Sequence, residues 1–241
     1  MGYVDDVRIL SVDHGPLVRS ELFGDVIAAE GHELVEWEIG AAPQPAGPFD
    51  AWIVLGGHQN VGEEEQYPWL HDEYELLRGL VETETPLFAI CLGAQALSHT
   101  FGGTVRKLTG QQAGFAEVRL TEEGARDPVL GVLPPRFEAL VGNSYAFDVP
   151  AGGVELAASD VQPQAFRVGE RAWAVQFHPE ARKTNVTCWF EADERVGTLP
   201  RPLPELEQEL ETKIDGWHEL GRKLCLAFLA AASRAGVRPA I

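Results

Sequence analysis

The sequence has few cysteines and few basic residues, and each shortage excludes a class of protein. Three cysteines occur in 241 residues, an odd number set far apart, so the chain has neither a disulfide framework nor a zinc-ligand pattern. We therefore expect a cytoplasmic protein without a metal. Lys and Arg number 19 against 37 Asp and Glu, which gives a formal net charge of −18. Such a surface repels phosphate backbones and anionic membranes, so neither nucleic acid nor a membrane is an expected partner.

Long hydrophobic runs are also missing. No apolar stretch approaches the roughly 18 residues of a membrane-spanning helix. The first residues, MGYVDDVRIL, lack the basic segment and apolar run of a signal peptide. The chain is nevertheless 45% hydrophobic and long enough to bury a sizeable core. We expect one domain over residues 1–241, with no internal repeat or linker.

Strand and helix patterns alternate through the first half of the chain. Strands are predicted at VRILSVD, HELVEWEI, AWIVLGG and PLFAICLG, and helices at PLVRSELFGDVIAAEG and YPWLHDEYELLRGLVETE. This order predicts an α/β fold, a mainly parallel open sheet flanked by helices. Sites in such sheets lie beyond the carboxyl ends of the strands. Gly56, Gly57 and Cys91 all fall at such ends.

The second half of the chain has a different pattern. Short strands and turns follow Gly103, at AEVRLT, FEALVGNSYAF, VELAASD, PQAFRVG and RAWAVQF, and predict a hairpin-rich half that extends the same sheet. A helix is expected at about residues 204–234. Its apolar residues recur every three or four positions: Leu206, Leu210, Ile214, Trp217, Leu220, Leu224 and Phe228. We expect this helix to cover the protein's own sheet rather than to dock a partner.

Cys91 stands where a predicted strand turns into a helix, in the run Ala89-Ile90-Cys91-Leu92-Gly93. A sharp strand-to-helix turn lifts one side chain clear of the backbone and needs small residues two places before and after it. The helix N-terminus also directs N–H groups and the positive end of its dipole at the sulfur, which stabilises the thiolate. The corner alone fits a nucleophile and a buried structural cysteine equally well.

A second segment favours the nucleophile. The predicted strand RAWAVQF stops at His178-Pro179-Glu180. A thiol nucleophile needs a base, and the base needs a third group to fix its tautomer and orientation. If this strand ends beside Cys91, His178 can act as the base and Glu180 as the third group. Ordinary surface or core positions are expected for His14, His32, His71, His99 and His218.

Three stretches, Gly56-Gly57, AICLGAQ and VQFHPE in that order, resemble the class I glutamine amidotransferases, in particular a stand-alone GMP-synthase-like glutaminase domain. The resemblance covers about residues 7–180 and implies a flavodoxin-like fold with no cofactor. It implies Cys91 as nucleophile, His178 as base and acid, and Glu180 as the residue that orients it. It further implies an oxyanion hole from the backbone N–H groups of Gly57 and Leu92, and a substrate contact at Gln95.

Several positions depart from the family pattern. Ala89 and His58 stand where glycine and proline are usual. Asn143-Ser144-Tyr145 replaces a histidine-glycine pair near the substrate's α-carboxylate, and we expect its backbone N–H groups to bind that carboxylate. Glu63–Glu65 is expected to be a solvated acidic turn and not a ligand set. We expect His58–Tyr67 and Gly110–Glu117 to be mobile loops that form the acyl-donor pocket.

The resemblance implies hydrolysis of glutamine through a γ-glutamyl thioester, with glutamate and ammonia as products. The resemblance also implies a partner, an ammonia-accepting synthetase on a separate chain. One alternative is a hydrolase of γ-glutamyl amides or peptides that uses the same triad. Another is a non-catalytic binding protein of this fold, which the intact Cys91, His178 and Glu180 disfavour. The FHPE pattern disfavours the DJ-1/PfpI-like group, whose members also carry a cysteine at an elbow.

Overall fold

The computed structural model describes residues 6–233 and contains one sheet of nine strands. The strands are β1 (Arg8–Asp13), β2 (Glu33–Glu38), β3 (Ala51–Val54), β4 (Leu87–Ile90), β5 (Val105–Leu120), β6 (Arg136–Phe147), β7 (Val154–Ala158), β8 (Pro163–Val168) and β9 (Ala172–Val175). The helices are α1 (Glu21–Ala29), α2 (Trp69–Glu82), α3 (Leu92–Thr100), α4 (Glu122–Arg126), α5 (Lys183–Val196) and α6 (Leu203–Ser233), with a 3-10 turn at Leu130–Val132.

The sheet has a parallel half and an antiparallel half. Its strand order is β2-β1-β3-β4-β9-β8-β7-β5-β6. Pairs from β2 to β9 are parallel, and pairs from β9 to β6 are antiparallel. This arrangement confirms the predicted α/β class, with a mainly parallel first half and a hairpin-rich second half. It also puts β9, the last strand in the chain, beside β4 at the centre of the sheet.

Helices cover both faces of the parallel half. Successive strand residues point to opposite sides of the sheet, so a strand contributes side chains to two core clusters. In β1, Ile9 belongs to the core cluster that also contains Phe23 of α1 and Phe228 of α6. The next residue, Leu10, belongs to the other cluster, with Leu77 of α2. Strands buried on both faces read as continuous apolar runs, as β3 and β4 do, whereas the edge strand β2 is largely exposed or partly buried.

The long helix α6 packs on the sheet of its own chain. Residues buried along its length include Leu206, Leu210, Ile214, Trp217, Leu224 and Phe228. The indole Nε1 of Trp217 donates a hydrogen bond to the backbone oxygen of His178 at 2.8 Å. Residue 234, where the helix was expected to end, lies outside the described residues.

One predicted loop is wrong. Gly110–Glu117 belongs to β5 and pairs with β6, with Gly114 opposite Val141 and Phe115 opposite Leu140. Its glycines and glutamines indicated a loop, but pairing against the apolar β6 keeps it extended, with a register shift between Lys107 and Gln112. This segment contacts α6 near Leu206 and does not form a pocket loop.

Two helices were not anticipated. In α5, Val186 and Phe190 alone are buried, so the helical period of apolar residues is weak. The helix α4 has five residues, too few to show any period. Within residues 6–233, no helix combines the length and apolar character that a bilayer crossing requires.

Candidate active site

Cys91 occupies a strained corner between β4 and α3. Its backbone angles are φ 51° and ψ −104°, a conformation that non-glycine residues rarely adopt. Its N–H donates to the Val175 oxygen at 2.8 Å, and its own oxygen accepts from the Gln95 N–H at 2.9 Å. Such strain costs of order 1–3 kcal/mol and persists only where the surrounding structure imposes it. The β4–β9 pairing and the first turn of α3 therefore fix where the sulfur points.

The corner depends on small neighbours, as predicted. A Cβ atom on Gly93 would lie 2.9 Å from Val54 Cγ1 and 3.0 Å from the Val54 carbonyl carbon. Glycine lets the start of α3 approach β3, where the Gly93 N–H donates to the Leu55 oxygen at 3.1 Å. Ala89, two residues before the cysteine, is fully buried. A larger side chain at either position would displace the helix from the strand.

His178 and Glu180 form a buried pair beside this corner. The imidazole Nδ1 is 2.8 Å from Glu180 Oε1, which leaves Nε2 for the thiol. The Trp189 ring lies against the imidazole at 4.9 Å between centroids. Burial lowers the pKa of His178, but the charges of Glu180 and the Cys91 thiolate outweigh burial and raise this pKa to about 10. The protonated imidazolium is thus the favoured form of His178.

Gly56 borders both groups. A Cβ atom built on Gly56 would lie 2.9 Å from His178 Cε1 and 3.3 Å from Cys91 Cβ. The structure therefore brings the thiol, the imidazole and the Gly56–Gly57 peptide together. The N–H groups of Gly57 and Leu92 donate to no protein atom within residues 6–233. Two free backbone donors on this corner are available to a developing negative charge.

A chain of side-chain amides leads to the sulfur. Gln95 Nε2 is 3.2 Å from both the Tyr145 backbone oxygen and Gln176 Oε1. Gln176 Nε2 in turn lies 3.4 Å from Cys91 Sγ. Since a backbone carbonyl only accepts, it orients the Gln95 amide, and that orientation directs the Gln176 NH₂ group at the sulfur. Gln176 was not singled out from the sequence, although it belongs to the VQFHPE stretch.

The predicted substrate segment lies at the other end of this chain of amides. Asn143 is buried and donates from Nδ2 to the Tyr145 oxygen at 2.9 Å, so Tyr145 accepts from both Asn143 and Gln95. Ser144 and Tyr145 are half-buried next to them. The structure thus brings the segment to Gln95, and its contact with a substrate stays a prediction.

The acidic turn after the glycine pair is closed by its own hydrogen bonds. Glu63 accepts from the backbone and side-chain nitrogens of Asn60, both at 2.9 Å, and Glu64 accepts from the Tyr74 hydroxyl at 2.7 Å. His58 is exposed. No cluster of three or more metal-binding side chains occurs in the part of the chain that the structure describes.

The fold and the corner place the chain among α/β proteins with a cysteine at a strand-to-helix elbow. Residues 31–189 match the family model described as glutamine amidotransferase class-I, more than half of the chain, and the protein belongs to this family. This result confirms the resemblance found in the sequence.

Curated relatives are longer proteins. The GMP synthase [glutamine-hydrolyzing] of Vibrio atlanticus is 28% identical over 185 residues, which are 75% of this chain and 34% of the relative. That of Thermotoga maritima is 31% identical over 163 residues, 62% of this chain and 30% of the relative. The chain spans about a third of the length of these relatives.

Solved structures share the fold at low identity. A glutamine amidotransferase from Thermotoga maritima superposes with a TM-score of 0.83 at 23% identity, covering 92% of this chain and 98% of that one. A glutamine amido transferase from Methylobacillus flagellatus gives a TM-score of 0.81 at 19% identity, covering 93% and 94%. At these identities the likeness concerns the fold alone.

Proposed function

We propose that the protein hydrolyses the side-chain amide of glutamine through a γ-glutamyl thioester on Cys91, releasing glutamate and ammonia. The observation that carries this proposal is the strained Cys91 beside the buried His178–Glu180 pair. Membership of the class I family and the similarity to GMP synthases named as glutamine-hydrolyzing support glutamine as the donor.

The reaction begins with attack of the Cys91 thiolate on the amide carbon. The carbonyl oxygen becomes an oxyanion, and the free N–H groups of Gly57 and Leu92 stabilise it. His178 transfers its Nε2 proton to the amide nitrogen, the C–N bond breaks, and ammonia leaves the γ-glutamyl thioester. Glu180 holds the Nδ1 proton throughout and so fixes the ring for this transfer.

Hydrolysis of the thioester uses the same groups in reverse. His178, now neutral, takes a proton from water as the water oxygen attacks the thioester carbon. The C–S bond breaks, glutamate leaves, and the thiolate–imidazolium pair is restored. Gln176 directs an N–H at the sulfur in the described structure and stabilises the thiolate at the start and the end of this cycle.

The substrate's amino-acid end is proposed to lie against Gln95, Asn143, Ser144 and Tyr145. The Tyr145 carbonyl ties the Gln95 and Asn143 amides together. This connection links the position of the substrate end to the Gln176 amide at the sulfur. Backbone N–H groups of this segment are the proposed donors to the α-carboxylate.

We propose an ammonia-accepting synthetase in the cytoplasm as the partner, on a separate chain. The relatives named GMP synthase are about three times as long as the stretch they share with this protein. In these relatives, named as glutamine-hydrolyzing, the polypeptide is thus much longer than this chain. Assays with candidate synthetases test which of them accepts the ammonia.

The nucleophile assignment is tested by labelling and by mutation. A glutamine-analogue electrophile is expected to label Cys91 and neither of the other cysteines. Cys188, which is exposed, is the internal control for accessibility, and Cys225 is buried with its thiol pKa raised by burial. Cys91→Ala is expected to fold and release no ammonia from glutamine, whereas Cys188→Ser keeps wild-type activity. Activity in Cys91→Ala, or label on another cysteine, would refute the proposal.

A further inference from the structure

A second buried histidine–glutamate pair lies behind the Gly56–Gly57 peptide. His14 follows β1, Glu73 lies in α2, and His14 Nε2 is 2.9 Å from Glu73 Oε2 with neither side chain exposed. Trp69 of α2 stacks on the imidazole, with ring centroids 5.3 Å apart. Within residues 6–233 the Glu73 carboxylate has no hydrogen-bond partner other than His14. Among these residues, the Glu73 carboxylate therefore hydrogen-bonds to the His14 imidazole alone.

The other ring nitrogen contacts the glycine pair. His14 Nδ1 is 2.9 Å from the backbone oxygen of Gly56. Because a carbonyl oxygen only accepts, Nδ1 carries a proton in every state of the pair. Burial lowers the pKa of His14, while the charge and hydrogen bond of Glu73 raise this pKa above its ordinary value. The Nδ1–H donor is present whether or not Nε2 is also protonated.

Anchoring the Gly56 oxygen also fixes the next N–H. In a planar trans peptide the C=O of one residue and the N–H of the following residue point in opposite directions. The Gly57 N–H therefore points away from His14. Gly56 also borders Cys91 and His178, because an added Cβ would lie 3.3 Å and 2.9 Å from their atoms.

Two adjacent glycines have no side chains that restrict rotation of this peptide. An external contact is therefore needed to hold one orientation, and the His14 ring supplies it. The ring is itself held between Glu73, Trp69 and the Gly56 oxygen.

We propose that His14 and Glu73 are positioning residues that fix the Gly56–Gly57 peptide with its N–H directed at the oxyanion formed during acyl transfer to Cys91. The inference rests on the proposed function, because it requires acyl transfer at this cysteine. A donor held in place beforehand does not have to reorient as charge develops, which is the condition for large oxyanion stabilisation.

The test compares two substitutions of equal shape on a Glu73→Gln background, where no buried charge is left without a partner. His14→Asn keeps an N–H donor near the place of Nδ1, and His14→Leu removes it. Acylation of Cys91 by p-nitrophenyl acetate passes through an oxyanion, whereas alkylation by iodoacetamide does not. We expect acylation at least tenfold slower with His14→Leu than with His14→Asn, and alkylation rates within about twofold, since removing an oxyanion donor outright costs roughly a hundredfold or more.

Equal ratios of acylation to alkylation in the two variants would overturn the inference. If His14→Leu does not fold, the wild-type protein decides through ¹⁵N NMR of the imidazole. A protonated Nδ1 between pH 5 and 9 supports the inference, and an unprotonated Nδ1 overturns it.

Ammonia release by the wild type from glutamine and γ-glutamyl amides tests the proposed function separately. An active wild type with unchanged ratios defeats the positioning role alone. If the wild type is inactive on all these donors, yet the two His14 variants show the predicted difference in acylation, the proposed function alone is defeated.

Discussion

At the scale of single residues, buried titratable groups at the carboxyl ends of the strands determine how activity and stability depend on pH. Two of them have pKa values displaced in the same direction for different reasons. Charges of opposite sign raise the pKa of His178, whereas burial raises the pKa of Asp13. The raised pKa of His178 bears on the proposed chemistry, and the raised pKa of Asp13 bears on stability. One substitution tests each of them.

Glu180→Gln is expected to lower kcat at least tenfold while the protein stays folded and Cys91 stays alkylatable. The amide still accepts from Nδ1–H but no longer stabilises the imidazolium. The pKa of His178 should therefore fall from about 10 toward its ordinary value, because its strongest favourable charge is removed. An NMR titration of His178 measures this change. A kcat and a titration curve equal to those of the wild type would make Glu180 a structural residue.

Asp13→Asn is expected to change how stability depends on pH. Burial is the largest effect on Asp13, and Glu36 adds to it, so the pKa is raised to about 6 despite hydrogen bonds from Ser11 and Arg19. The folded state then binds a proton more tightly than the unfolded state. This contribution to stability is full below about pH 4 and is lost as the pH rises through about 6, by roughly 2–3 kcal/mol.

The asparagine variant does not undergo this loss. Relative to the wild type, Asp13→Asn should therefore gain stability between pH 4 and pH 7. Urea unfolding of both proteins at a series of pH values measures the difference in free energy of unfolding. A difference that stays constant with pH would contradict the raised pKa of Asp13.

At the scale of elements, α6 supports the segment that carries the His178–Glu180 pair. Trp217 donates to the His178 oxygen, and Gly221 lies against the backbone of Pro179. A Cβ atom on Gly221 would overlap the Pro179 carbonyl oxygen. The glycine thus lets the helix approach the two residues whose side chains form the pair.

Gly221→Ala is expected to destabilise the fold by about 1–3 kcal/mol, since the helix or the Pro179 backbone must move. The same movement should lower kcat, because Pro179 connects His178 to Glu180. Gly216→Ala in the same helix is the matched control, because no atom lies within 4 Å of its added Cβ. It should raise stability by up to about 1 kcal/mol through helix propensity. Similar effects of the two substitutions, measured by urea unfolding and turnover, would exclude this supporting role of α6.

The sequence predicted the elements whose residues follow a clear period or stand at a forced turn. The apolar strands β3 and β4 and the elbow at Cys91 are of this kind, since the elbow needs small residues at Ala89 and Gly93. The helix α5 was missed because its buried residues are too few to show a period. The segment Gly110–Glu117 was misread because its partner strand, and not its own composition, keeps it extended.

The same limit applied to the site. Cys91, His178 and Glu180 could be predicted as neighbours because they stand in short recognisable stretches, and their catalytic roles stay a proposal. His14 and Glu73 are 59 residues apart and stand in no motif, so only the packing of α2 against the end of β1 brings them together. Gln176 lay inside a recognised stretch, yet its direction toward the sulfur depends on Gln95 and the Tyr145 oxygen.

At the scale of the whole molecule, the site is assembled across the junction between the two halves of the sheet. Cys91 ends a strand of the parallel half, and His178 follows the last strand of the chain. The pairing of Ile90 with Val175 and the hydrogen bond from the Cys91 N–H to the Val175 oxygen join them. The Cys91 thiol and the His178 imidazole therefore meet only when β9 lies between β4 and β8, so the site forms with the complete sheet.

The acyl donor and the acceptor of ammonia are the remaining properties at this scale. We expect glutamine to be preferred over γ-glutamyl amides and peptides, and we expect slow turnover by the isolated protein that rises when an ammonia-accepting synthetase is added. A partner that closes the segment His58–Tyr67 over the donor would explain such a rise, since loops of this kind gate many active sites. The measurement is steady-state ammonia release on glutamine and a panel of γ-glutamyl amides, with Cys91→Ala as the blank. A kcat/KM for one γ-glutamyl amide more than about a hundredfold above that for glutamine, about 2.7 kcal/mol of transition-state preference, would make the protein a γ-glutamyl hydrolase instead.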